Sequence, residues 1–337
     1  MKVLVTGSSG FVGRHMCEQL KRLGWDVVGV DQNKNRNVLQ KLTFSSDSIF
    51  DEEKPWNVFV HSDVRTIFWE RCRPFSENVF DELAETRYDL VVHCAYHVGG
   101  RAAIDGNPSL LALNLELDAR LFEWAVRTRQ RAVMYFSSSA VYPIKYQQGG
   151  KQPPLSEHLI SVDGPVQPDA RYGWAKLTGE HLADAATTQG LRVHVLRPFS
   201  GYGADQDDTY PFPAILARVL AGDLSVWGPP GQIRDWIHID DVVGGALAVY
   251  EKDYREPVNL CTGVGTEFGV LATMMARRLG IDVGAVDPRG RAERVTYLED
   301  RPTGVLCRVG DPTRMLNIYE PEIGLDEGIR RAIGDLT

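Results

Sequence analysis

Read from its amino terminus, the sequence predicts an α/β fold, a doubly wound parallel sheet with a smaller cap built from the C-terminal third. Three observations carry this expectation. Short apolar runs alternate with stretches of helical period over about the first 200 residues, the pattern of strands joined by crossover helices. The first strand and helix are separated by a glycine-rich turn, residues 6–13. Beyond residue 197 the texture changes, with nine prolines from Pro198 to Pro312 punctuating short segments.

Each element follows from its own pattern. Val3, Leu4 and Val5 form an apolar run, the stretch 11–23 is amphipathic, and 27–30 is apolar again, so strand, turn, helix and strand are expected in that order. A further strand is expected at 90–95 and a long helix over 110–127, where Leu111, Leu115 and Phe122 mark the buried stripe. Strands at 132–136 and 193–196 bracket a helix over 174–186. This divides the chain into a dinucleotide-type domain, 1–197, and a cap, 198–337, interleaved with it. The stretch 146–154, rich in Gln, Gly and Pro, is expected to be a mobile surface excursion.

Composition narrows the classes of function. The chain has 337 residues, 43% hydrophobic and 24% charged, which suits an ordinary globular protein. With 37 Lys and Arg against 45 Asp and Glu, the formal charge of -8 gives no general attraction to nucleic acid or anionic lipid, and neither is expected as a partner. Cys17, Cys72, Cys94, Cys261 and Cys307 are odd in number and scattered, so reduced thiols and a cytoplasmic location are expected. No apolar run approaches the roughly 20 residues that a membrane span requires. His93, His97 and His238 lack a completing Cys or carboxylate pattern, and no metal is expected.

The turn Thr6-Gly7-Ser8-Ser9-Gly10-Phe11-Val12-Gly13 places backbone amides at a helix N-terminus, where they meet an anion. Gly7 makes the tight turn, Gly10 admits a pyrophosphate and Gly13 allows close packing of helix on sheet. Asp31 ends the second strand, 18 residues past Gly13, and its carboxylate can accept from ribose hydroxyls while repelling a 2'-phosphate. The expectation is a Rossmann-like domain that binds NAD, with Lys34 and Arg36 close enough to soften the preference over NADP. Asp63 and Val64, after the next apolar segment, are candidates for the adenine edge, and Ala95 follows the next strand.

Tyr172 and Lys176 are four residues apart at the opening of a helix, which sets phenol and ammonium on one face. A nearby ammonium favours phenolate, pulling the tyrosine pKa down from roughly 10 and making it a usable base. Ser137, Ser138 and Ser139 end a strand at the carboxyl edge of the sheet, where ligands bind in this architecture.

With these residues in view, the sequence resembles the extended short-chain dehydrogenase/reductases, specifically their nucleotide-sugar epimerases and dehydratases. The resemblance spans nearly the whole chain. It rests on the glycine pattern of residues 6–13, on Tyr172 and Lys176, on Ser138, on Asn114 in the long helix, on Arg197-Pro198, on the run from Arg234 to Asp241, and on Arg301-Pro302. It implies that Tyr172 removes the proton of a sugar hydroxyl, Lys176 binds the nicotinamide ribose and Ser138 bonds the reacting oxygen. It implies further that Asn114 and Pro198 support the cofactor region, that Arg234 and Arg301 hold the substrate diphosphate, and that His97, Arg101, Ser139 and Ser200 touch the substrate. A homodimer is implied as well, through the helices 110–127 and 174–186.

The chemistry after the first oxidation is set by the two residues following Ser138. The 4,6-dehydratases carry Asp and Glu there, and the 3,5-epimerases place Cys second; this chain has Ser139 and Ala140. Epimerisation at C4 through a transient 4-keto sugar is therefore the expected reaction. The alternatives are a GDP-mannose 3,5-epimerase-like enzyme, an unusual nucleotide-sugar dehydratase, and a non-catalytic dinucleotide sensor. Ser200 stands where the family often has Asn, giving shorter reach toward the substrate.

Overall fold

The computed structural model describes residues 1–31, 56–61, 64–69, 80, 83, 86–98, 109–150, 152–160 and 166–334. Asp63, Arg101, Lys34, Arg36 and Cys72 lie outside the described residues.

The first pair of elements sets the frame. Strand β1 (Lys2–Thr6) runs into the glycine turn, helix α1 (Phe11–Arg22) follows, and β2 (Asp26–Asp31) returns parallel to β1 with Val3 opposite Val27. Next come the antiparallel pair β3 (Trp56–His61) and β4 (Val64–Trp69), then β5 (Leu90–His93), α2 (Ser109–Arg127), β6 (Ala132–Phe136), α3 (Ala170–Thr188) and β7 (Arg192–Pro198). Helix α3 begins at Ala170, four residues before the expected start, because Asp169 ends the preceding extended segment.

Past Pro198 lie β8 (Ser200–Tyr202), α4 (Pro211–Leu220), β9 (Ser225–Trp227), β10 (Ile233–His238), α5 (Ile239–Glu251) and β11 (Val258–Leu260). They are followed by β12 (Gly265–Glu267), α6 (Phe268–Arg278), β13 (Thr296–Leu298), β14 (Cys307–Arg308), α7 (Thr313–Leu316) and α8 (Leu325–Gly334). The large sheet has eight strands in the order β11-β7-β6-β5-β1-β2-β4-β3, parallel except for the β3–β4 pair at its edge. β8, β12 and β14 assemble around β10, and β9 pairs with β13.

Strand alternation divides the side chains between two faces. Val3, Val5, Val92 and Met134 pack with Met16 and Leu20 of α1 and Val242 and Ala246 of α5. Leu4, Val91, Val133 and Tyr135 pack with Leu121 and Trp124 of α2 and Ala183 of α3. A third core, with Tyr202, Phe212, Trp236, Phe268 and Leu271, lies among α4, β10 and α6. Both α5 and β11 come from beyond residue 198 yet belong to the large sheet and its covering layer.

The expectation of a mobile excursion at 146–154 is corrected. Gln147 is fully buried, its Nε2 donating to the Tyr142 carbonyl at 2.9 Å, while the backbone amides of Leu306 and Cys307 donate to its own carbonyl at 3.0 and 3.1 Å. Polar composition signalled a surface loop, and Gln148, Gly150, Pro153 and Pro154 are exposed, but the groups of Gln147 are consumed internally and anchor the segment to the C-terminal third. Among the described residues, no helix is long and apolar enough to cross a membrane.

Candidate active site

The glycine turn has the geometry that its residues demand. Gly7 sits at φ +70°, and a Cβ there would lie 2.6 Å from the Ala95 nitrogen, so both conformation and space require glycine. A Cβ on Gly13 would lie 2.0 Å from the Gly7 carbonyl oxygen. On Gly10 the nearest atom would be 3.2 Å away, leaving the α1 N-terminus approachable. Gly10 caps α1 without any side-chain hydrogen bond, which leaves the opening amides of the helix available to an anion. Asp31 accepts from the Ser9 amide at 2.9 Å, which fixes its carboxylate against the turn. Among the described residues, buried Ser8 Oγ has no hydrogen-bond partner, a further polar atom available to a ligand in this cradle. The residues present fit a dinucleotide. Val64 opens β4 beside β2, Ala95 abuts Gly7, and Pro198 ends β7 half-buried.

Tyr172, Ser138 and Lys176 come together at the carboxyl ends of β5 and β6. Ser138 follows β6 by two residues and caps a short 3-10 turn, its Oγ accepting from the Ala140 amide at 3.1 Å. Lys176 Nζ donates to the Phe136 carbonyl at 2.7 Å and lies 3.3 Å from the centroid of the Tyr96 ring. Tyr96 in turn meets Tyr172 edge to face at 5.8 Å. Burial lowers the Lys176 pKa to about 8. Burial also pushes Tyr172 up to about 12, opposed by a hydrogen bond with Ser138 and by the Arg308 guanidinium. This differs from the expected fall: loss of water around the phenol, joined by the Asp118 carboxylate, outweighs Ser138 and a positive charge that comes from Arg308 and not from Lys176.

Other predicted residues take supporting places. Asn114 of α2 clips the loop after β5, its Oδ1 accepting from the His97 amide at 2.8 Å and its Nδ2 donating to the His97 carbonyl at 3.1 Å. Ser139 is buried in the 3-10 turn and Ser200 is half-buried at the start of β8. Arg234 lies over the Phe268 ring at 5.2 Å, and exposed Arg301 lies over Trp227 at 5.7 Å.

Several contacts escaped the sequence reading. Arg197 is buried in four hydrogen bonds: its Nε and one terminal nitrogen donate to Glu180 at 2.9 and 2.6 Å, and the other terminal nitrogen donates to Tyr142 Oη and the Glu157 carbonyl, both at 3.2 Å. Ser137 also donates to Glu180, so the pair joins α3, β7 and the end of β6 one turn from Lys176. Arg308 reaches from β14 to Asp169 and Gln147, both at 2.6 Å, tying the C-terminal third to the start of the Tyr172 helix. His93 and Asp118 bond one another at 3.1 Å below Tyr96. Among the described residues no group of three potential metal ligands forms. The one available signal was the four-residue spacing from Asn114 to Asp118 and from Lys176 to Glu180, which puts each pair on one helix face.

With this geometry in place, the comparisons with known proteins are direct. A profile described as the NAD dependent epimerase/dehydratase family matches residues 3–261. The chain belongs to this family. It is 26% identical over 283 residues to a GDP-mannose 3,5-epimerase of Arabidopsis thaliana, covering 82% of this chain and 68% of that one. It is 25% identical over 334 residues to a UDP-glucuronate 4-epimerase of Thermodesulfobacterium geofontis, covering 98% and 94%. Among solved structures, MoeE5 in complex with UDP-glucuronic acid and NAD is similar with a TM-score of 0.75 and 26% identity over 99% of this chain and 98% of that one. The protein is thus an NAD-dependent enzyme of the epimerase/dehydratase class.

Proposed function

We propose that this enzyme inverts C4 of a nucleoside-diphosphate sugar through a transient 4-keto sugar. The observation that carries the reading is the 3-10 turn after Ser138, where Ser139 and Ala140 carry neither a carboxyl nor a thiol. Inversion at C4 needs one group that takes and returns the proton of a sugar hydroxyl, whereas dehydration and 3,5-epimerisation also need acid-base groups at the neighbouring carbons.

The glycine turn, with Ser9, Phe11 and Val12, would hold the NAD pyrophosphate, Asp31 the ribose hydroxyls, and Val64, Ala95, Asn114 and Pro198 the remaining cofactor wall. When bound, NAD supplies acceptance and return of a hydride. Tyr172 takes the hydroxyl proton, helped by the Lys176 ammonium, and Ser138 orients the reacting oxygen by a hydrogen bond. Arg234 and Arg301 offer guanidinium forks to the diphosphate. His97, Arg101, Ser139 and Ser200 are assigned to the sugar. The 4-epimerase relative and the ligand of MoeE5 support a UDP-linked sugar as the first substrate to test.

A second reading, 3,5-epimerisation or dehydration, is favoured by one observation besides the Arabidopsis relative: Tyr210 is buried near enough to Tyr172 for that phenol to add to the rise in the Tyr210 pKa that burial causes. Product analysis in deuterated water separates the two. C4 inversion yields an isomer without carbon-bound deuterium, while deuterium at C3 or C5, or loss of water, refutes it. Tyr172→Phe should lower the rate by about 10²–10⁴-fold with NAD retained, and an unchanged rate would remove Tyr172 from the reaction. We further infer a homodimer joined through α2 and α3, whose outer surface includes Trp174 at 48% exposed; its mass in solution tests this.

A further inference from the structure

Lys176 is deeply buried, and a buried ammonium needs a compensating charge. Its hydrogen bond to the Phe136 carbonyl supplies none. The candidate negative groups around it come from three elements. Glu180, on its own helix, spends both oxygens on Arg197. Cys94, after β5, is kept as the neutral thiol by burial. Among the described residues Asp118, on α2, is the remaining carboxylate, and its side chain is 0% exposed.

Asp118 reaches Lys176 through aromatic rings. Its Oδ2 accepts from Tyr135 Oη at 2.7 Å and from Tyr96 Oη at 3.4 Å. Lys176 Nζ lies 3.3 Å from the Tyr96 centroid and 5.0 Å from the Tyr135 centroid. A phenol that donates to a carboxylate presents a more electron-rich face, and that face attracts a cation. Asp118 Oδ1 bonds His93 Nε2 at 3.1 Å, and His93 Nδ1 bonds Thr6 Oγ1 at 2.7 Å, so the network runs back to the glycine turn. His93 is held neutral by burial, which makes it a donor to Asp118 and an acceptor from Thr6. Gly179 leaves the room: a Cβ there would lie 1.8 Å from Tyr135 Oη and 2.6 Å from Asp118 Oδ2.

We propose that Asp118 is a positioning residue, the buried counter-charge that keeps Lys176 an ammonium by acting through the rings of Tyr96 and Tyr135. Burial drives Lys176 toward neutrality, and Asp118 is the largest influence opposing it. Removing the carboxylate therefore lets Lys176 lose its proton at lower pH, and with it the positive charge one helical turn from Tyr172.

The test is the titration of the Lys176 ¹³Cε resonance in NAD-loaded protein carrying labelled lysine, assigned with Lys176→Met. Asp118→Asn should lower the midpoint by about one pH unit or more, and Tyr96→Phe by less in the same direction. Glu116→Gln, on the same helix but paired with Arg120 at 2.9 Å, should leave it in place. A midpoint unchanged in Asp118→Asn overturns the proposal; if that variant does not fold, an unchanged midpoint in Tyr96→Phe does so. This readout does not depend on the reaction. The alkaline limb of kcat rests on the proposed C4 chemistry: a shifted resonance with an unmoved limb supports the role of Asp118 and counts against that chemistry.

Discussion

Arg197→Met is the perturbation with the largest expected effect outside the reacting groups. Arg197 is 2% exposed and Glu180 8%, and they meet through two parallel hydrogen bonds. Methionine fills much of the volume but removes all four hydrogen bonds of the guanidinium. Tyr142 keeps its bond to Asn259 at 2.5 Å, whereas Glu180, among the described residues, keeps Ser137 as a hydrogen-bond partner and loses the guanidinium that met both its oxygens. Breaking a buried pair from one side costs about 3–5 kcal/mol, against about 0–1 kcal/mol for an exposed pair. The assay is urea unfolding of both proteins at one NAD concentration, since bound cofactor adds to apparent stability. Adding Glu180→Leu removes both charges together, so the double variant should cost less than the sum of the single variants by roughly 2 kcal/mol or more. A loss below about 1 kcal/mol for Arg197→Met, or strict additivity in the double variant, would refute the claim that this pair fastens α3 to the sheet.

Two further outcomes follow from the site. Gly13→Ala sets a Cβ 2.0 Å from the Gly7 carbonyl, which also accepts from the Gly10 amide at 3.0 Å, so the turn must shift. Overpacking of about 1–3 kcal/mol predicts NAD affinity weaker by roughly 5–150-fold in calorimetry, and wild-type affinity would exclude the turn as the anion site. His93, His194 and His238 are all held below their ordinary value of 6.5 by burial. The unfolded chain therefore takes up protons that the folded one refuses as pH falls through 6.5, and stability should decline from pH 7.5 to 5.5 by up to about 1.4 kcal/mol per pH unit for each histidine. His93→Gln should flatten that slope; an identical slope would mean that His93 is not buried neutral.

The doubly wound core was legible because its information is local. Val3 and Val5 face one side of the sheet and Leu4 the other, an alternation of period two, and the spacing of Gly7, Gly10 and Gly13 needs only one turn and one helix to be interpreted. Tyr172 and Lys176 were legible for the same reason, since four residues is one helical turn. The anchoring of Gln147 was not, because its partners at Leu306, Cys307 and Arg308 lie some 160 residues away and its own neighbourhood is polar.

What the sequence determined by itself, then, was the layer architecture, the glycine turn, the one-face spacing of Tyr172 and Lys176, and the want of a carboxyl or thiol at Ser139 and Ala140. Only the tertiary structure decided what surrounds that set: the Arg197–Glu180 pair, the Arg308–Asp169 tie, and Asp118 beneath Tyr96 and Tyr135. It also decided the direction of the Tyr172 pKa, because the cost of losing water depends on every element packed around the phenol, and no spacing within one helix records it.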